Sequence, residues 1–111
     1  MVPIPRNARS EENDIVMLAL LANIEAKTGK EAEVEALLTG ALPLAKAEAG
    51  TRTWYAFKSG PSTFGIFDTF DDEAGRRAHL DGEIAKALLG RANELLARPP
   101  QISSVDVLAA K

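Results

Sequence analysis

A chain of 111 residues has room for one domain, and 46% hydrophobic with 26% charged residues is the balance of a globular protein and not of a disordered tail. The absence of cysteine excludes disulfides, thiolate nucleophiles and cysteine metal sites, and it fits a reducing compartment. A net charge of −3, with lysines and arginines dispersed among acids, argues against a nucleic-acid surface, which needs clustered cations to displace counterions from phosphates.

Residues 1–13, MVPIPRNARSEEN, mix prolines and charges, lack the apolar core of a signal peptide and read as a flexible N-terminal extension. The remaining residues 14–111 read as a single domain. The longest apolar run, Ile15 to Ala22, is shorter than the roughly 20 residues a membrane helix needs. A cytoplasmic protein without membrane or nucleic-acid partners is expected.

Asp14 to Lys27 is apolar on both alternating faces at first, and helix and strand fit it about equally. The capping-box pattern Thr28-Gly29-Lys30-Glu31 decides for a strand, because it starts a helix directly afterwards. That helix, Lys30 to about Glu48, carries an apolar stripe of Val34, Leu37, Leu38, Ala41, Leu44 and Ala45. Gly40 and Pro43 predict a kink or short break, and Gly50 ends it. Thr51 to Lys58 alternates and is rich in β-formers; Ser59 to Ser62 are turn residues; Thr63 to Phe70 is the returning strand of a hairpin.

In that returning strand Phe64, Ile66, Asp68 and Phe70 share one face, an apolar wall with a carboxylate set into it. Asp71 or Asp72 can cap the following helix. The helical pattern to Arg98 runs along Ala74, Ala78, Ala85, Leu88, Ala92 and Leu95, with Ile84, Leu89 and Leu96 widening it and Gly82 expected to split it. Pro99 and Pro100 stop it, and Gln101 to Leu108 read as a last strand. The order βαββαβ predicts an α+β, ferredoxin-like fold, a four-stranded antiparallel sheet with both helices on one face. The uncovered face is then free to meet the sheet of a second copy, a homodimer.

His79, the only histidine, is the natural candidate for proton transfer, with Gly75 and Gly82 leaving a groove around its ring; equally, it is an edge residue bonded to a backbone carbonyl. Asp68 is a base or a partner of His79 if its face meets the helices, and a solvated strand residue if it does not. Arg52, Trp54 and Tyr55 could line a pocket or simply pack; Asn23 could donate to a bound oxygen species or cap its strand. Asp68, His79 and Asp81 are too thin a set for a metal site. No glycine-rich phosphate loop is present, and Ser59, Ser62 and Ser103 lack a nucleophile-elbow context.

Gly50 followed four residues on by Trp54, and Asp68-Thr69-Phe70 followed by His79 nine residues beyond Phe70, resemble the antibiotic biosynthesis monooxygenase superfamily of dimeric α/β barrels, over about Ile15 to Leu108. In that family the first motif usually has tyrosine and the second reads Glu-x-Trp, so Phe70 and Asp68 depart from it. The resemblance implies oxidation of a hydroquinone, phenol or anthrone by dioxygen without flavin, haem or metal. His79 would take the substrate proton, oriented by Asp68, and Trp54, Phe64, Ile66, Phe70, Asn23 and Arg52 would contact the substrate. The alternatives are a non-catalytic barrel that binds a small hydrophobic molecule, or a haem-binding member that uses Asn23, an aromatic residue and His79.

Overall fold

The computed structural model describes residues 17–111. The extension expected over residues 1–13, and the strand positions Asp14, Ile15 and Val16, lie outside the described residues. Strand β1 (Met17–Glu25) leads into helices α1 (Glu31–Gly40) and α2 (Leu42–Ala47), then the hairpin of β2 (Thr51–Lys58) and β3 (Thr63–Phe70). Helices α3 (Glu73–Leu80), α4 (Glu83–Gly90) and α5 (Ala92–Leu95) precede β4 (Gln101–Val107).

The four strands form one open antiparallel sheet in the order β2-β3-β1-β4. This is the ferredoxin-like α+β arrangement that the βαββαβ order implies. β1 and β3, the most apolar strands, are central, and the more polar β2 and β4 are the edges. The covered face is built from cross-strand partners, Ile24 with Phe64 and Ala22 with Ile66. These pack with Val34 and Leu38 of α1 and with Leu88, Leu95 and Leu96. On the other face Tyr55 and Phe57 stay exposed, and the Phe57 ring lies over its partner Gly65, where a β-carbon would have no room. Among the described residues no helix is long and apolar enough to cross a membrane.

The helical breaks fall where the sequence placed them. Ala41 separates α1 from α2, and Pro43 lies in the first turn of α2, where a missing N–H costs little. The new start moves Leu44 out of the stripe into solvent, while Val34, Leu38, Ala41 and Ala45 remain buried. Gly82 separates α3 from α4. The capping box is only half formed: Glu31 accepts from the Gly29 N–H at 2.9 Å, but Lys30, not Thr28, occupies the cap position and contributes no side-chain bond. Gly29 takes φ +89°, which glycine alone adopts readily.

In α3 the inward face differs from the expected Ala74–Ala78 line. Those two alanines are exposed, and Gly75, Arg76 and His79 turn inward. Asp72 fixes the start by accepting from the Gly75 N–H at 2.8 Å. The backbones of Gly75 and Gly50 then meet so closely that a β-carbon on Gly75 would stand 2.8 Å from the Gly50 carbonyl oxygen. That contact sets the rotation of α3.

Candidate active site

One turn beyond Gly75, the same rotation carries His79 under the sheet. Its ring packs against the wholly buried Phe70, with centroids 5.4 Å apart. Nε2 lies 2.9 Å from Oδ2 of Asp68, and Nδ1 lies 2.7 Å from Oε1 of Glu48. Asp68 is 1% exposed and His79 7%. The strand alternation therefore resolves in favour of an Asp68 that faces the helices, and the histidine bonds side chains and not a backbone carbonyl.

The two contacts differ in kind. Nδ1 and Glu48 form a directed hydrogen bond, whereas the Nε2 approach to Asp68 is close without being aligned. Neither Asp68 oxygen has a hydrogen-bond donor among the described residues. An unsatisfied buried carboxylate is costly, and here it survives because a cation stands beside it. Burial disfavours the imidazolium, but the contacts with Asp68 and then Glu48 outweigh it and raise the His79 pKa to about 9. The two carboxylates thus favour the protonated form of the ring. A ring held in its protonated form has no free lone pair, whereas Asp68 beside it offers a carboxylate.

Asp68 and His79 border a narrow cleft between the sheet and helices α3 and α4, walled by Leu20, Ile66, Ile84 and Leu88. Its volume is about 30 Å3, the space of a single water molecule. The groove anticipated around the ring between Gly75 and Gly82 exists, but Glu48 fills it: a β-carbon on Gly82 would be 3.2 Å from Oε2 of Glu48.

Of the expected site residues, Asp68, His79, Phe70 and Ile66 come together. Trp54 is the cross-strand neighbour of Asp68 and packs on Ala41, Ala45 and Ile84, with its indole N–H buried and without a partner among the described residues. Phe64 belongs to the main core, away from the cleft. Arg52 does not join it. A register irregularity between Thr51 and Thr53 turns Arg52 out to an exposed ion pair with Asp71 at 3.0 Å. Asn23 is exposed, and its place on β1 puts it on the opposite face from Asp68.

Asn23 is exposed on the sheet face opposite Asp68, so it does not join His79 as the haem reading expects. No group of three or more potential metal ligands occurs among the described residues. Glu48 is the site residue that the sequence reading missed. The available signal was the pair Gly50 and Gly75, whose contact brings the end of α2 against α3.

No protein-family model matches the chain, and no curated protein does. Solved structures do. A Nitrosomonas europaea protein provisionally called an antibiotic biosynthesis monooxygenase superposes with a TM-score of 0.72 at 14% identity, over 80% of this chain and 96% of that one. A Bordetella bronchiseptica protein with the same provisional description gives 0.66 at 21% identity, over 80% and 94%. This chain shares the fold of those structures, the ferredoxin-like arrangement that its order of elements implied. A second Nitrosomonas europaea protein, of unknown function, is 57% identical over 87% of this chain and 94% of its own, with a TM-score of 0.84. The chain belongs to the family of that protein.

Proposed function

We propose that this protein is a monooxygenase that oxidises a small electron-rich aromatic molecule, a hydroquinone, phenol or anthrone, with dioxygen and no bound cofactor. The observation that carries the reading is the buried Asp68 carboxylate, 2.9 Å from Nε2 of His79 at an apolar cleft. The superfamily fold supports it.

Asp68 accepts a proton from the substrate's hydroxyl or activated methylene, and the imidazolium then faces the new oxyanion in place of the carboxylate. Charge in the site is conserved, because a carboxylate is neutralised as the oxyanion appears. The substrate anion gives an electron to dioxygen, and the resulting radical and superoxide combine. With an anthrone-type methylene, the carbon loses two hydrogens and gains one oxygen, and the second oxygen leaves with those hydrogens as water. The substrate supplies every electron that dioxygen accepts. An aromatic ring enters this cleft only if α3 and α4 part, and Gly82 between them is the place to flex. A homodimer joined through the uncovered sheet faces completes the reading.

Oxygen uptake tests it. With a panel of hydroquinones and anthrones, wild-type protein should consume oxygen above the autoxidation rate, and Asp68→Asn should lose about 100-fold or more. A folded wild type without uptake on any of them would overturn the proposal in favour of a ligand-binding barrel.

A further inference from the structure

Glu48 lies outside the strand-and-helix motif that carries Asp68 and His79, yet several independent features of the chain are arranged around it. Its Oε1 accepts from His79 Nδ1 at 2.7 Å and also from the Thr51 hydroxyl at 2.7 Å, so the carboxylate is itself held in place. The Gly50–Gly75 backbone contact brings α3 against the turn that carries Glu48, and the bare α-carbon of Gly82 leaves the notch in which Oε2 sits. A side chain at Gly82 would crowd Oε2 of Glu48, and one at Gly50 or Gly75 would force α3 away from the turn that carries Glu48.

We infer that Glu48 is the positioning residue of this site, gripping Nδ1 so that Nε2 of His79 is held 2.9 Å from Oδ2 of Asp68 at the cleft. An imidazole held at one nitrogen cannot turn over, and the nitrogen that faces the substrate is thereby decided. Glu48 has a second effect. When Asp68 takes up a proton, Glu48 remains as counter-ion, and the buried cation is never left alone. The charged groups facing His79 are Asp68 from β3 and Glu48 from the α2–β2 turn; on its own helix, Arg76 is turned to Glu73 and to the Ala19 carbonyl. The catalytic consequence rests on the function proposed above; the positioning itself does not.

Because His79 is the only histidine, its ring can be followed without ambiguity by nitrogen-15 NMR. In Glu48→Gln, which keeps an acceptor oxygen but not the charge, the His79 midpoint should fall by about one pKa unit or more, and Glu48→Asp should keep most of the wild-type value. The alkaline limb of the oxygen-uptake profile should move with the midpoint, kcat falling at fixed pH while KM holds. A His79 midpoint identical in wild type and Glu48→Gln would overturn the inference, as would a shifted midpoint with an unmoved alkaline limb. If wild-type protein consumes no oxygen, the functional reading fails, and the titration alone decides whether Glu48 governs His79.

Discussion

Asp68 and His79 meet in a buried contact, and such a contact favours opposite charges on the two groups. Removing a carboxylate from water costs several kcal/mol, and only a neighbouring cation and a second carboxylate make the arrangement tolerable. The energetic consequence has a definite sign. An unfolded histidine titrates near 6.5, whereas in the fold burial is outweighed by Asp68 and Glu48 and the pKa is about 9, so the native state binds the proton more tightly. The resulting stabilisation is fully present below about pH 6.5, declines as pH rises and is lost above about 9, with a scale on the order of 3 kcal/mol. Thermal denaturation should therefore show Tm falling between pH 6 and pH 10, and His79→Gln should remove that component of the fall; a wild-type Tm flat across this range would contradict it. Asp68 and His79 were legible in the sequence because strand alternation and a lone histidine single them out. The raised pKa of His79 was not, because besides Asp68 it depends on Glu48, which lies 31 positions away and enters only through tertiary packing.

At the scale of elements, glycines decide where α3 sits. Gly50 and Gly75 touch through their backbones, whereas Gly40, at the end of α1, has open space where a side chain would go and an ordinary backbone conformation. Gly75→Ala should destabilise by about 1–3 kcal/mol through overpacking, and Gly40→Ala should be neutral or stabilising by up to about 1 kcal/mol. Chemical denaturation of the two variants checks the contrast, and equal effects would contradict it. The breaks at Ala41 and Gly82 were readable because proline and glycine act locally. The rotation of α3 was not, since the Ala74–Ala78 line is as regular on paper as the Gly75–His79 line, and only the contact with Gly50 selects between them.

For the whole molecule, the order of elements is enough to give the sheet order β2-β3-β1-β4, because right-handed crossovers and one hairpin leave little choice. The face without helices presents Tyr55 at 59% and Phe57 at 39% exposure, aromatic surface that water does not favour. Pairing of two such faces should give a dimer by light scattering in solution, and Tyr55→Lys with Phe57→Lys should shift it toward monomer. A wild-type protein monomeric at high micromolar concentration would remove the dimer from the account.

The pH titration of the His79 ring nitrogens in the wild-type protein reads whether the ring is a cation between the carboxylates of Asp68 and Glu48. The midpoint should lie near 9, with both N–H groups present at pH 7. A midpoint at or below the ordinary 6.5 would contradict it, and would return the role of proton acceptor from Asp68 to His79.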